Sequence, residues 1–126
     1  ARQEAAAKYD DAFGGNAFLK PPARNPKSTH VFHQYTLVTK NIDRDKLKED
    51  LGEKGIPSMV YYPVPLHMQK AYRSERYDEG AFPVTENLCK RVISLPIHTE
   101  MDKEQQDFII NGVLEAIEQQ NKVLTQ

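Results

Sequence analysis

The spacing of apolar residues changes repeatedly along the chain, and each change predicts an element. Residues 1–13, ARQEAAAKYDDAF, set Ala5, Tyr9 and Phe13 four apart, the interval of one helix face. That pattern is helical from its first residues, so the chain is expected to open inside an element, with Gly14 and Gly15 ending it. Residues 16–29 hold three prolines and no period, which predicts an ordered loop or tether anchored by Phe18 and Leu19. Residues 30–39, HVFHQYTLVT, are dense in β-branched and aromatic side chains and predict a central strand. Asp43 is placed to cap a helix over about 44–54 that carries Leu47 and Leu51 one turn apart, and Gly55 stands at its left-handed C-terminal position.

The second half is punctuated by proline. Residues 56–62, IPSMVYY, predict a second strand that runs into PVPLH, where two prolines donate no amide and force an extended path. A short helix is expected at about 66–72, then a polar surface loop, RSERYDEGA. Pro83 suits a first helical position, with Val84 and Leu88 on one face and an end near Arg91. VISL at 92–95 predicts a third strand, stopped by Pro96. Asp102 and Gln105 form a capping-box pattern ahead of a terminal helix whose stripe is Ile109, Val113, Ile117 and Leu124. The order, a leading helix and then β–α–β–α–α–β–α, predicts the α/β (α+β) class: a small sheet of about three strands packed with helices.

Composition narrows the possibilities. A chain of 126 residues fits one domain, and surface scaling from its 14.4 kDa predicts a folded area of about 6,800 Å². Lys and Arg number 17 against 18 Asp and Glu, spread along the chain, so no overall field draws nucleic acid or anionic membrane. Without a long apolar run or a signal-peptide pattern, the protein is expected to be soluble and cytoplasmic, with no membrane partner. The single cysteine, Cys89, excludes an intrachain disulfide and any thiolate cluster. Beside Leu88 on a predicted helix, it reads as a small apolar residue.

Four histidines raise the question of a metal. In a strand His30 and His33 point to opposite faces, so they cannot chelate one ion unless a bulge intervenes, and no metal site is expected. His98 reads as structural or exposed. No glycine-rich phosphate loop, GxSxG elbow or HExxH motif occurs. What stands out is YYPVPLHMQKAY, residues 61–72, in which rings, prolines and a histidine follow a strand directly. Either these are packing residues on a stiff strand exit, or a rigid loop presents hydroxyls and an imidazole to a polar ligand at low ordering cost. HVFHQYT is likewise either plain sheet or a display of His33 and Tyr35 to a pocket.

Four blocks, in order, resemble the C-terminal domain of the DegT/DnrJ/EryC1/StrS family, the pyridoxal-phosphate-dependent sugar aminotransferases of fold type I. RQEAAAKYDDAF is similar to the end of that family's long connecting helix, and HVFHQYTL to its H-x-Y-x-x-Y-like strand. RDKLKEDLGEKGIPSMVYYPVPLHMQKAY is similar to its RDxLxxxLxxxGI...HYPxPLHxQxAY block. FPVTENLCKRVISLPIHTEMDKEQQDFII is similar to its FPxAExLxxxxLSLPxHxxLxxEQ ending.

The resemblance implies a setting in which pyridoxal 5'-phosphate carries an amino group, usually from glutamate, onto a nucleotide-linked keto sugar, as in lipopolysaccharide, capsule or antibiotic sugar synthesis. It implies that residues 1–29 are the end of the connecting helix plus a tether and 30–126 the small domain. The large N-terminal domain, with the Schiff-base lysine and cofactor contacts, is absent from this chain. None of the eleven lysines here sits in the family's lysine motif, so this chain alone is expected to bind no cofactor and not to transaminate. Its implied partners are its own large domain, a homodimer mate, the nucleotide sugar and glutamate.

Tyr61 stands where many members have the histidine of HYP and Tyr62 at the following tyrosine, positions implied to face the nucleotide sugar. Tyr61 is a departure, since a tyrosine offers no cation near neutral pH. Pro63, Pro65, Leu66, His67 and Gln69 match the block, with His67 expected to orient the loop or touch the ligand; His33 and Gln34 are further substrate-binding candidates. A domain of this kind is expected to expose apolar area around Phe13, Phe18 and YYPVPLH. A stand-alone small-molecule-binding module, or a structural partner subunit sharing the fold, is the alternative.

Overall fold

The computed structural model describes residues 1–124; the Leu124 side chain, assigned above to the terminal stripe, lies outside the described side chains. Its sheet is antiparallel throughout, in the order β1 (Leu19–Lys20), β2 (Tyr35–Thr39), β3 (Val92–Leu95). Four helices accompany it: α1 (Arg2–Phe13), α2 (Arg44–Glu53), α3 (Pro83–Arg91) and α4 (Lys103–Leu124). The α/β class and the count of strands agree with the sequence reading, but the membership of the sheet does not.

Residues 56–62 do not make a strand. Only Met59 pairs, exchanging both backbone hydrogen bonds with Ser94 on the free side of β3, at 3.0 and 2.8 Å. On one side Pro57 falls opposite Pro96 and neither has an amide N–H; on the other, the Val92 amide is bonded to the Leu88 carbonyl and the Val92 carbonyl accepts from Arg44, so the ladder does not extend. The third strand is instead Leu19–Lys20, inside the stretch read as a tether; Leu19 opposes Thr39, and Pro21 and Pro22 stop the pairing after two residues. The central strand is also shorter than 30–39. Phe32 takes a left-handed backbone, φ 48°, and its amide donates to His30 Nδ1 at 2.9 Å, so pairing begins only at Tyr35. His30 and His33 therefore lie in irregular backbone, and the opposite-face argument against their chelating one ion loses its premise. Among the described residues no group of three or more His, Cys, Asp or Glu is gathered for a metal.

The helix expected at 66–72 is two 3₁₀ turns, Leu66–Met68 and Lys70–Tyr72, broken at extended Gln69. Leu66 and Tyr72 are exposed and only His67 is strongly enclosed, so the segment lacks the apolar stripe that would stabilise a longer helix.

The helix ends follow the sequence closely. Asp43 accepts the amides of Asp45 and Lys46, and Gly55 takes φ 75° past the end of α2. Asp102 and Gln105 complete the reciprocal capping box at 2.7 and 3.3 Å. Arg44, buried at the start of α2, donates to the carbonyls of Cys89 and Val92, tying α2 to the end of α3 and the start of β3.

Tyr35, Leu37 and Ile93 face a core completed by Tyr9 and Phe13 from α1, Leu47 and Leu51 from α2, and Ile109, Val113 and Ile117 from α4. Phe13 is fully buried and Phe18 packs against the core, so the expectation that both present exposed apolar area is corrected. Cys89 is buried, as read. α3 exposes Val84 and Leu88, the face its spacing had marked as apolar. The accessible surface is 8645 Å², well above the roughly 6,800 Å² that a compact chain of this mass has. Much of the excess is visible as an arm, residues 60–82, in which Pro65 alone is buried.

Candidate functional site

The arm leaves the sheet at Met59 and carries the aromatic and histidine side chains singled out above. Tyr61 and Tyr62 are 50% and 74% exposed, so the packing reading of these two rings does not hold. They line a shallow hollow of about 390 Å³ with Pro63, Val64, Met68 and Gln69. Tyr61 also reaches a second hollow of about 230 Å³, where it meets Met59, Ser94, Leu95 and Pro96 at the end of β3. The two prolines around Val64 restrict the backbone between these hollows, so the hydroxyls of Tyr61 and Tyr62 are presented on a stiff segment.

His67 turns inward instead. Its Nε2 lies 2.9 Å from Glu86 Oε1, and its ring meets Phe82 edge-on at 4.9 Å. Glu86, in the first turn of α3, also accepts the Gly80 amide at 3.0 Å and the Phe82 amide at 3.2 Å. Partial desolvation pushes the Glu86 carboxyl up, but the Phe82 and Gly80 amides and the His67 imidazole outweigh it and hold the group below its ordinary range. The carboxylate thus gathers both ends of the arm: His67 near its start and the 80–82 turn at its close.

His33 and Gln34 stand apart. His33 is exposed and Gln34 half-buried just before Tyr35, and neither lines the hollow of Tyr61 and Tyr62. Because Tyr35 opposes Leu95, Gln34 begins the strand at the end of the sheet that Tyr61 overlies. Tyr35 itself is not displayed to a pocket. It is fully buried and donates to Asp10 Oδ1 at 2.7 Å, while Arg24 binds Asp10 Oδ2 through Nε at 2.8 Å and lies 4.1 Å over the Phe32 ring. Burial, and then the Asp10 hydrogen bond, push the Tyr35 hydroxyl far above its ordinary range, and burial does the same to Tyr9. Both hydroxyls stay protonated and act as donors; Tyr9 bonds the Pro96 carbonyl at 2.9 Å.

Sequence reasoning placed Glu86 within FPVTENL but gave it no role, and it missed the Asp10–Arg24 pair. Glu86 carried a local signal, an acid in the first turn behind Gly80 and Pro83, but its partner lies 19 residues away. Asp10 and Arg24 sit on a helix and in a tether, with no motif to join them.

The described residues do not fit pyridoxal phosphate on their own. Desolvation in an apolar pocket or a neighbouring cation activates a lysine toward an aldehyde. Every described lysine is exposed or half-buried, and Lys8, Lys46, Lys54 and Lys122 are paired with Asp107, Asp50, Glu115 and Glu118. No described helix is long and apolar enough to cross a membrane.

Comparison with known proteins gives this geometry a context. The profile of the DegT/DnrJ/EryC1/StrS aminotransferase family matches residues 1–114. A protein of Geobacillus stearothermophilus named as a pleiotropic regulatory protein is 44% identical over 86 residues, 68% of this chain and 23% of its own length. The dTDP-3-amino-3,4,6-trideoxy-alpha-D-glucose transaminase of Streptomyces venezuelae is 33% identical over 117 residues, 93% of this chain and 30% of its own length. The crystal structure of S. venezuelae DesV superposes with a TM-score of 0.84 at 33% identity, covering 90% of this chain and 30% of that one. The chain thus spans less than a third of the length of these relatives.

Proposed function

The chain belongs to the DegT/DnrJ/EryC1/StrS aminotransferase family, and on that premise we propose that it is the C-terminal small domain of a pyridoxal-phosphate-dependent sugar aminotransferase. The whole enzyme moves an amino group from glutamate to a keto sugar carried on a nucleotide. The cofactor supplies the reactive aldehyde and the electron sink when bound. It is held by a large domain outside these residues, in keeping with the exposed, paired lysines here.

This chain's part is to build one wall of the substrate cleft. Tyr61 and Tyr62 offer hydroxyls that donate to and accept from sugar and phosphate oxygens, on backbone stiffened in advance by Pro63 and Pro65. Neither brings a positive charge, so the neutralisation of a nucleotide's phosphates falls to other residues. His67, bonded to Glu86, orients the arm. The exposed face of α3 and the arm are the surfaces that meet the large domain and a homodimer mate, and the surface in excess of a compact chain supports such contacts. We assign the protein to the cytoplasm, where nucleotide sugars are made.

The observation that carries this reading is the coincidence of an extensive match to a sugar transaminase with a stiff, exposed Tyr61–Tyr62 hollow at the end of the sheet. It is tested on the protein that bears this chain in its source cells, assayed with glutamate and nucleotide-linked keto sugars. Tyr61→Phe and Tyr62→Phe each remove one hydroxyl and are expected to raise KM for the sugar about fivefold to tenfold with a smaller change in kcat. A native protein of 14.4 kDa without transaminase activity, or unchanged KM in both variants, refutes the proposal and favours a stand-alone binding module.

A further inference from the structure

Arm residues 60–82 bury little, yet one carboxylate holds both His67 within the arm and the turn at which it rejoins the fold. Glu86 accepts His67 Nε2 at 2.9 Å and the amides of Gly80 and Phe82 at 3.0 and 3.2 Å. The side chains of His67 and Glu86 are only 10% and 12% exposed. The N-cap residue of α3 is Phe82, whose side chain accepts nothing, so Glu86 also does the capping that this helix start otherwise lacks. On the other side of the imidazole, His67 Nδ1 has no partner among the described residues, and it is not sealed from solvent, since among the described side chains only Arg2 Nε is buried and unpaired.

We infer that Glu86 is a positioning residue for the candidate site. By accepting His67 Nε2–H it fixes the imidazole so that Nδ1 is turned outward as an acceptor. By accepting the Gly80 and Phe82 amides it closes the arm whose first residues are Tyr61 and Tyr62. The arm then meets its ligand in one conformation rather than being ordered at the moment of binding. A hydroxyl or amide donor is the group that Nδ1 selects. This deepens the reading of Tyr61 and Tyr62 as a sugar-binding wall and rests on it for its purpose, while the contacts themselves are measurable without any substrate.

Glu86 lies outside the hydrophobic core cluster, so variants there are expected to keep the core, and far-UV circular dichroism checks that the helices, α3 included, persist. The 126-residue chain is compared as wild type, Glu86→Ala and Glu86→Gln. Two readouts are taken: the hydrogen-bonded His67 Nε2 proton by NMR, and tryptic cleavage after Lys70, Arg73 and Arg76 relative to cleavage after Lys48 on α2. In Glu86→Ala the imidazole proton is expected to vanish into exchange with water, and arm cleavage to rise about tenfold, as loss of hydrogen bonds to a charged acceptor implies. Glu86→Gln keeps an acceptor oxygen and is expected to restore most of both signals. An unchanged imidazole proton and unchanged arm cleavage in Glu86→Ala overturn the inference. Failure of the sugar-binding reading is seen separately, as unchanged KM in the Tyr61 and Tyr62 variants.

Discussion

Gly112, on the buried side of α4, sits against the end of Ile56 where the chain leaves α2. A Cβ built there runs into Ile56 Cδ1, with Lys54 Cδ 3.6 Å away. Gly112→Ala therefore sets two effects against each other. Alanine in a helix interior is favoured over glycine by about 1 kcal/mol. Forcing a methyl into a filled core costs about 1–3 kcal/mol. Ile56 is 1% exposed, so its terminal methyl has little room to swing aside, and the steric cost is expected to win. Gly112→Ala alone should lose about 1 kcal/mol.

Ile56→Val removes the offending methyl at a cost of about 0.5–1.5 kcal/mol. In that background the alanine fills the vacated space and keeps its helix preference, so Gly112→Ala should now gain about 1 kcal/mol. The coupling between the two positions is then about 2 kcal/mol, well beyond the few tenths seen for independent sites. Urea unfolding of the four proteins measures it directly, with constant slope m as the check that the native packing is comparable. Equal effects of Gly112→Ala in both backgrounds refute the argument and mean that Ile56 yields without cost.

Two further predictions concern the polar ties. Tyr35→Phe leaves Asp10 bound to Arg24 and should cost about 1 kcal/mol, whereas Asp10→Ala strands a buried hydroxyl and should cost about 1–3 kcal/mol; the opposite order in urea unfolding refutes this account of the network. The Glu86 carboxyl is depressed in the folded chain, so its contribution is complete above the ordinary glutamate value of 4.5 and is lost as pH falls through the lower folded value. The Phe82 amide proton shift should report a midpoint below 4.5 that is absent in Glu86→Gln, and a midpoint at or above 4.5 contradicts the assignment.

What the sequence reveals here is local. α2 could be read from Asp43, Leu47, Leu51 and Gly55 because cap, stripe and C-terminal glycine lie within thirteen residues and act through nearest neighbours. The same holds for the Asp102–Gln105 box and for VISL. Tyr61, Tyr62 and His67 were visible as a run of unusual residues, and their exposure or enclosure follows from what surrounds them. The strands that failed did so for non-local reasons. Leu19 and Lys20 pair because Thr39 and Val38 come to meet them, and IPSMVYY is limited to one residue because Pro57 falls opposite Pro96 and the Val92 amide and carbonyl are taken by Leu88 and Arg44. Phe32 turns left-handed amid a run of β-forming residues, where the His30 imidazole supplies the acceptor for its amide. Glu86 stood in the FPVTENL block, but its role went unread because His67, its partner, is set across the width of the arm.

The blunt margins of the sheet bear on how this chain associates. One margin is a two-residue strand that carries exposed Lys20 and ends in Pro21 and Pro22; the other is occupied by Met59 between Pro57 and Pro63. Neither offers the run of free amides and carbonyls on which a foreign strand could grow. Growth of a foreign strand is thus blocked at both margins, which disfavours fibrous stacking of this chain.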